Sequence, residues 1–342
     1  MELPSPLQLK MELPLSEEGR KFIAKSRQSA QKIIKRKDER LAAIVGPCSI
    51  HDPHSAIEFA QKFKCFSSQI DKSFLSVMRL FIEKSRTRLG WKGLLYDPHL
   101  DGSNDIAAGL KISRKLLLEI TELGVPCAVE LLEPLAVPYF DDLIVWGLIG
   151  ARTSASQPHR QMTSGLSFPV GFKNDIHGEL DIAISGVLTS RAAHSHIGID
   201  SNGRIASIET KGNPMTHLIL RGSEHQTNYD SESVSKALAE LQRHHLESCL
   251  LIDCSHGNSK KDHRKQRIAL ESIIEQVREG NKAIAGFMFE SHLNMGKQPL
   301  GDDKSLLRYG VSITDPCLGW EETESLLNWA AEQLISINSV QK

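Results

Sequence analysis

The stretch "LLIDCSHGNSKK", residues 250–261, joins an apolar segment directly to reactive side chains. Its first three residues are apolar, and Asp253, Cys254 and His256 follow without an intervening turn residue. In barrels of parallel strands, functional side chains gather at the carboxyl ends of the strands. The stretch therefore predicts a buried strand that delivers side chains to a site, and the same pattern should recur at other strand ends.

Apolar segments of four to eight residues do recur along the chain, separated by amphipathic helical patterns. The eight predicted strands span residues 41–46, 74–81, 126–131, 148–151, 169–172, 217–221, 249–253 and 283–290. Alternation of strands and helices predicts a parallel sheet covered by helices. Eight units in about 250–300 residues fit a closed barrel better than an open sheet. The predicted fold class is α/β, a (β/α)8 TIM barrel.

Two segments lie outside this repeat. Residues 1–40 precede the first strand and contain one helical pattern, which we interpret as an N-terminal helical extension. Residues 195–209 alternate with a period of two around Asn202-Gly203, which predicts an inserted β-hairpin. We therefore predict a catalytic barrel domain over residues 41–342, decorated by this hairpin and by the extension.

The bulk composition excludes several classes of protein. A formal net charge of -1 provides no basic field, so neither nucleic acid nor an anionic membrane surface is expected as a partner. The apolar segments are too short to span a bilayer, and the N-terminus lacks the features of a signal peptide. Six cysteines without a C-x-x-C pair do not form a disulfide framework in a chain of 342 residues. These features predict a cytoplasmic location.

The predicted strand ends carry chemically active side chains throughout. Cys48, His256, Glu290 and Asp315 follow the first, seventh and eighth strands and offer sulfur, nitrogen and oxygen donors. This mixed set suits a divalent metal such as Mn, Fe, Co or Zn. The four residues are far apart in sequence, so the prediction of a metal site depends on the barrel geometry.

A second set of strand-end residues is cationic. It consists of Arg79, Lys84, Arg86, Arg152, Lys173 and Arg221, with Glu130 at the end of the third strand. Six cations in one cleft repel one another unless anions compensate them, and guanidinium groups match phosphate and carboxylate oxygens. The set therefore predicts substrates with at least two anionic groups. Alternatively, each cation pairs with a carboxylate on the barrel exterior.

Long motifs around these residues resemble one enzyme family. The matching segments are "GPCSIHDP" (46–53), "MRLFIEKSRTRLGWKGLLYDPHLDGS" (78–103), "GARTSASQPHR" (150–160), "PVGFKN" (169–174), "LILRG" (218–222), "IDCSHGNSKK" (252–261), "ESHL" (290–293) and "SITDPCLGWEET" (312–323). Together they resemble the type I 3-deoxy-D-arabino-heptulosonate 7-phosphate (DAHP) synthases. The resemblance implies condensation of phosphoenolpyruvate with erythrose 4-phosphate, the first step toward the aromatic amino acids.

The resemblance also implies residue roles. It makes Cys48, His256, Glu290 and Asp315 the metal ligands. Phosphoenolpyruvate contacts are implied for Arg79, Lys84, Arg152, Lys173 and Arg221, and erythrose 4-phosphate contacts for Arg86 and Thr87. We also assign Glu130 to substrate binding, and Lys84, His256 and Asp315 to catalysis. The proton donor is either Lys84 or His256, and the sequence does not decide between them. The chain departs from the family pattern at Ser85, where proline is usual, and at Ser223, where glycine is common.

Two alternatives remain at this stage. A related synthase makes 3-deoxy-manno-octulosonate 8-phosphate from arabinose 5-phosphate, but its loop after the second strand resembles Lys-Ala-Asn-Arg-Ser rather than "KSRT" (84–87). A catalytically inactive barrel acting as a scaffold would be expected to have lost a ligand or a cation, and every one is present.

The two decorations predict feedback inhibition by an aromatic amino acid, with tyrosine favoured. In regulated members of the family these additions form an inhibitor pocket, and the matching positions are Pro138, Met162, Leu166, Ser167, His196, Gly198 and Ile208. Gly198 leaves room for a phenol hydroxyl, to which His196 offers a hydrogen bond. The alternative is that the additions only cover the barrel or mediate assembly, for which we predict a homodimer or homotetramer.

Overall fold

The computed structural model describes residues 2–340. Met1 and residues 341–342, the outermost positions of the two predicted domains, lie outside the described residues. The barrel strands and the hairpin strands are β1 (Leu41–Gly46), β2 (Phe74–Arg79), β3 (Cys127–Glu130), β4 (Trp146–Ile149), β5 (Val170–Lys173), β6 (Ser195–Ile199), β7 (Ile205–Glu209), β8 (Thr216–Leu220), β9 (Leu250–Asp253) and β10 (Ile284–Glu290). Eight of them close a parallel barrel in the order β1-β10-β9-β8-β5-β4-β3-β2. The predicted fold class is confirmed.

Helices surround the barrel and precede it. They are α1 (Pro6–Glu12), α2 (Glu17–Ile34), α3 (Pro53–Ser67), α4 (Ile106–Glu122), α5 (Gln157–Ser164), α6 (Asp181–Arg191), α7 (Ser231–Arg243), α8 (Gln266–Arg278) and α9 (Trp320–Val340). Among the described residues, none of these helices is both long and apolar enough to cross a membrane. Barrel strands are buried along nearly their whole length, as expected for parallel strands covered on both faces.

The structure differs from the sequence-based expectation in the position of the fourth strand and in the helix that a regular (β/α)8 repeat implies for the third unit. The strand predicted over 148–151 lies two residues earlier, because Gly150 begins a turn whose carbonyl accepts hydrogen bonds from Thr153 N and Ser154 N. Between β3 and β4 the chain forms only a 3₁₀ turn, Val137–Tyr139, instead of an α-helix. Pro134 and Pro138 explain this difference, since proline removes a helical donor and clashes with the preceding turn.

The hairpin forms where the sequence predicted it, with β6 and β7 antiparallel and His196 paired with Ile208. The extension folds as α1 and α2, and α1 lies against the 3₁₀ turn between β3 and β4. Arg114 on α4 stabilises this contact. Its guanidinium forms a two-pronged ion pair with Asp142 and donates to the carbonyls of Leu13 and Tyr139.

Candidate active site

Three of the predicted metal ligands come together at the barrel mouth. Cys48 follows β1, Glu290 ends β10, and Asp315 lies in the segment between β10 and α9. One donor atom from each residue lies within 4.8 Å of the others. Cys48 Sγ is 3.5 Å from Asp315 Oδ2. The thiol and the glutamate are buried, so this cluster is a pocket of ligand atoms rather than a solvated acidic patch.

His256 lies beside this cluster but outside the tight group. Its Nε2 is 3.8 Å from Glu290 Oε1, while its Nδ1 is 2.9 Å from Asp253 Oδ2. The backbone of His256 has φ +54°, a left-handed conformation that is uncommon outside glycine and recurs at functional sites. With this imidazole, the donor chemistry fits a borderline divalent cation such as Mn, Fe, Co or Zn.

Three of the predicted cations pair with acids of the protein itself. The ion pairs join Arg79 to Glu290 at 3.0 Å, Lys84 to Asp315 at 2.9 Å, and Lys173 to Asp253 at 2.9 Å. Protein carboxylates therefore compensate part of this positive charge, in addition to the anionic substrates that the sequence predicts. The pairs also lie at the mouth and not on the barrel exterior, which was the alternative.

The other three cations have no carboxylate partner within the part of the chain that the structure describes. Arg86 Nε donates to the carbonyl of Trp91 at 2.8 Å, and Arg152 Nε donates to Thr87 Oγ1 at 2.8 Å. Arg221 is buried at the end of β8. These guanidinium groups remain available to phosphate or carboxylate oxygens, which is what binding of two anionic substrates requires.

The charges around the ligand cluster stabilise one another. Burial alone would raise the pKa of Asp315, yet Lys84 and His256 hold that pKa well below its ordinary value. Burial would likewise lower the pKa of Lys84, but Cys48 and Asp315 raise it instead. Burial, reinforced by Glu290, raises the pKa of the Cys48 thiol to about 11. A bound divalent cation would favour the thiolate that ligation requires.

The remaining predicted positions lie close to this mouth. Glu130 ends β3 and is buried, and its Oε1 would be 2.5 Å from a Cβ placed on Gly150, so a larger residue there would have to displace the Glu130 carboxylate. Ser223 uses its hydroxyl to accept hydrogen bonds from the backbone nitrogens of His225 and Gln226. Serine in place of the family's usual glycine at position 223 is thus accommodated by a local turn. Nothing in the structure explains the serine at position 85.

A second cavity of about 710 Å³ lies between the hairpin, α5 and the loop after β3. Six of the seven predicted regulatory residues line it: Pro138, Met162, Leu166, His196, Gly198 and Ile208. Ser167 does not. It lines a neighbouring cleft, and its hydroxyl accepts a hydrogen bond from Arg27. Within the described residues, His196 Nδ1 is buried without a hydrogen-bond partner.

Sequence reasoning missed two acids. Asp253 was recognised as unusual at the end of β9 but received no role, because only the structure shows Lys173 and His256 on either side of it. Asp141 lines the second cavity and forms an ion pair with Lys10. The sequence offered one signal for Asp141, the adjacent acid Asp142. Two consecutive acids after an apolar turn are rarely part of a hydrophobic core.

A closed parallel barrel whose mouth combines mixed metal donors with unpaired guanidinium groups defines a barrel enzyme acting on anionic substrates. The family model described as "DAHP synthetase I family" matches residues 19–328, and the chain belongs to this family. The names of the relatives favour the heptulosonate synthases over the octulosonate synthases, because each is a 3-deoxyheptonate aldolase.

Individual relatives agree with this assignment. The chain is 46% identical over 325 residues to the Tyr-sensitive phospho-2-dehydro-3-deoxyheptonate aldolase of Escherichia coli K12, covering 95% of this chain and 91% of the relative. It is 44% identical over 325 residues to the Trp-sensitive enzyme of the same organism, covering 95% and 93%. A solved phospho-2-dehydro-3-deoxyheptonate aldolase from Francisella tularensis superimposes with a TM-score of 0.95 at 42% identity, covering 97% of both chains.

Proposed function

We infer that this protein is a 3-deoxy-7-phosphoheptulonate synthase, which condenses phosphoenolpyruvate with D-erythrose 4-phosphate to give DAHP and phosphate. This reaction is the first step of the route to the aromatic amino acids. The observation that carries the inference is the cluster of Cys48, Glu290 and Asp315 donor atoms within 4.8 Å, surrounded by cations at the mouth of a barrel of this family. Neither the cluster nor the cations would be expected in an inactive scaffold.

The proposed metal ligands are Cys48, His256, Glu290 and Asp315, holding Mn, Fe, Co or Zn. When bound, the ion would act as a Lewis acid that polarises the aldehyde oxygen of erythrose 4-phosphate. The C3 carbon of phosphoenolpyruvate then attacks the aldehyde carbon, water adds at C2, and phosphate leaves by C–O cleavage.

The protein contributes orientation, charge compensation and a proton. We assign Arg79, Lys84, Arg152, Lys173 and Arg221 to phosphoenolpyruvate, and Arg86 with Thr87 to the phosphate of erythrose 4-phosphate. Glu130 is assigned to substrate binding. Fixing two anionic substrates in register supplies a large part of the rate. The proton for the growing alkoxide comes from Lys84 or His256. Lys84 is supported by its position, 2.9 Å from Asp315 Oδ2 and 2.9 Å from Cys48 Sγ, inside the ligand cluster.

We propose that the second cavity binds an aromatic amino acid as a feedback inhibitor, with tyrosine favoured. Met162, Leu166 and Ile208 supply apolar walls for a ring. The His196 imidazole offers a hydrogen bond to a phenol hydroxyl, and Asp141 offers a carboxylate to the ammonium group. A site built around a hydroxyl rejects ligands that lack it, because its polar groups would be left unpaired.

Residues 1–40 are proposed to serve this regulation, and the chain is proposed to form a homodimer or homotetramer. The outer face of the hairpin supports assembly, since Ile197 and Ile205 are each 83% exposed. Exposed apolar side chains of this size, when they cluster, mark contact surfaces.

The function is tested by phosphate release with phosphoenolpyruvate and each of two aldehydes, erythrose 4-phosphate and arabinose 5-phosphate. We expect turnover only with the first. A chelator should abolish it, because the mixed donors of the cluster would lose the ion they hold, and Mn, Co or Fe should restore it. Full activity in protein shown by elemental analysis to contain no metal would contradict the metal assignment, and a preference for arabinose 5-phosphate would contradict the substrate assignment.

A further inference from the structure

Asp253 is the last residue of β9 and is fully buried at the carboxyl end of the barrel. Its Oδ2 lies 2.9 Å from Lys173 Nζ and 2.9 Å from His256 Nδ1. One carboxylate oxygen thus lies between the ammonium group of Lys173, which is proposed to bind substrate, and the imidazole of His256, which is proposed to bind metal. The proposed reaction assigns no role to Asp253.

The carboxylate is held in place from its other side. Asp253 Oδ1 accepts hydrogen bonds from the backbone nitrogen of Ser255 at 3.0 Å and from the Ser255 hydroxyl. The carbonyl of Asp253 accepts a hydrogen bond from Asn258 Nδ2 at 2.8 Å. Hydrogen bonds to Oδ1 and to the carbonyl, together with the two ion pairs of Oδ2, fix the side chain in one orientation.

This arrangement determines which nitrogen of His256 faces the metal cluster. An imidazole nitrogen that faces a carboxylate carries the proton, and the opposite nitrogen is then the one with a free lone pair. Here Nδ1 lies 2.9 Å from Asp253 Oδ2 and 2.9 Å from the Ser255 hydroxyl, which donates its own proton to Asp253 Oδ1 and can therefore only accept from Nδ1, while Nε2 lies 3.8 Å from Glu290 Oε1. Asp253 therefore presents Nε2 of His256 to the ligand cluster.

The same oxygen fixes the ammonium group of Lys173. Lys173 ends β5 and is only 2% exposed, and β8 separates its strand from β9. A buried ammonium needs a compensating charge, and Asp253 provides it across the intervening strand. The ammonium is thereby held in one position before any substrate phosphate or carboxylate arrives.

We propose that Asp253 is a positioning residue that ties the metal-binding imidazole of His256 to the substrate-binding ammonium of Lys173, so that metal and phosphoenolpyruvate bind to one prearranged unit. The proposal rests on the proposed function, which assigns those two residues to metal and substrate. It predicts that one substitution weakens both ligands, although the carboxylate touches neither.

The test compares Asp253→Asn with the wild type, both stripped by a chelator and titrated with Co²⁺. Binding is followed by the charge-transfer absorption between the Cys48 thiolate and cobalt, which needs no turnover. We expect the cobalt affinity to fall about ten- to hundredfold, as for other groups that orient a ligating histidine. Calorimetry at saturating cobalt should also show weaker phosphoenolpyruvate binding. Cys254→Ala, a buried neighbour on the same strand end, is the control and should keep both affinities.

A second comparison is needed if Asp253→Asn misfolds, because the uncompensated charge of Lys173 in that variant could destabilise the barrel. The double variant Lys173→Met with Asp253→Asn removes both charges, and its cobalt affinity is compared with that of Lys173→Met alone. The double variant should bind cobalt more weakly, because it still lacks the partner of His256. Equal affinities in this pair, or unchanged affinities in folded Asp253→Asn, overturn the proposal. A wild type without the thiolate–cobalt band would instead refute the metal site itself.

Discussion

Arg86 and Arg79 carry the same charge at the same mouth, yet their surroundings give them different tasks. Arg79 is fully buried, pairs with Glu290 and lies over the ring of Phe81 at 3.7 Å. Such a guanidinium mainly organises the carboxylates around it. Arg86 lies in the loop after β2, where its one hydrogen bond to residues 2–340 is to the carbonyl of Trp91. Its remaining donors are free for a substrate phosphate, so Arg86 is the better residue for testing the substrate assignment.

We predict that Arg86→Ala raises the Michaelis constant for erythrose 4-phosphate far more than that for phosphoenolpyruvate. Losing one charge-assisted phosphate contact should cost about 1.5–3 kcal/mol, roughly a ten- to hundredfold change. Steady-state kinetics with each substrate varied in turn measures this. Arg88→Ala, an exposed arginine of the same loop, is the matched control and should change neither constant. Equal losses for both substrates in Arg86→Ala would refute the assignment.

For individual residues, the sequence predicted which side chains would form the site but not which of them would pair with one another. Cys48, Glu290 and Asp315 could be chosen because reactive side chains at strand ends meet at one mouth. The pairing of Lys173 with Asp253 could not, since the two residues come from strands separated by β8. Pairing across a barrel depends on strand order and register, and a periodic pattern specifies neither.

Among the elements, α4 anchors the N-terminal extension through one buried side chain. Arg114 is fully buried, and its partners are the Asp142 carboxylate and the carbonyls of Leu13 and Tyr139. All three partners would lose their donor together if the guanidinium were removed. The contact therefore links the extension and the loop after β3 to the barrel itself.

We predict that Arg114→Met lowers the free energy of unfolding by about 1.5–3 kcal/mol, the cost of removing hydrogen bonds to a charged group, because the Asp142 carboxylate is itself 29% exposed. Urea unfolding followed by circular dichroism measures the change. Lys115→Met is the control, because Lys115 forms only an exposed pair with Glu119 and should matter by less than about 0.5 kcal/mol. Similar unfolding free energies for the two variants would show that the extension is not anchored in this way.

The hairpin contributes to the second cavity through a residue that has no side chain. A Cβ on Gly198 would lie 2.8 Å from Ile208 Cγ1, so any larger residue must displace the Ile208 side chain, which lines the cavity. Overpacking of this kind costs about 1–3 kcal/mol. We predict that Gly198→Ser weakens inhibition by tyrosine about five- to hundredfold in a phosphate-release assay.

The control for this variant is Ala206→Ser, which alters the cross-strand partner of Gly198 but not the cavity lining. It should leave the inhibitory concentration of tyrosine unchanged. If millimolar tyrosine, phenylalanine and tryptophan all fail to slow the wild type, the cavity is not an inhibitor site. Equal sensitivity of Gly198→Ser and the wild type would remove Gly198 from it.

Element boundaries were predictable where apolar runs were clear and failed where turns compete. The strand at 41–46 and the hairpin at 195–209 agree with the structure, since alternation and Asn202-Gly203 define them locally. The short helices α1 and α5 were not predicted. Each spans few turns, so its apolar period is too brief to stand out, and packing against neighbouring elements stabilises it.

For the whole molecule, the extension reaches both walls of the second cavity. The Tyr139 hydroxyl donates to the carbonyl of Pro4, and Lys10 pairs with Asp141, both in or beside the loop after β3. Leu7 N donates to the carbonyl of Ser201 in the hairpin turn at 2.8 Å. The segment around α1 thus bridges two elements that are distant in sequence, whereas none of these contacts involves the metal cluster.

This bridging predicts that deletion of residues 1–12 separates regulation from catalysis. The turnover number and both Michaelis constants should stay within about twofold, because the barrel strands and the mouth keep their contacts. Tyrosine should inhibit about tenfold less strongly, since the loop and the hairpin would lose the segment that holds them together, and a tenfold change corresponds to about 1.4 kcal/mol. Tyr139→Phe, which removes one of the bridging hydrogen bonds, should give a smaller loss in the same direction. Size-exclusion chromatography with light scattering shows whether assembly changes as well. Unaltered tyrosine potency in a deletion variant of normal activity would mean that the segment only covers the barrel, and loss of turnover would mean that the barrel depends on it.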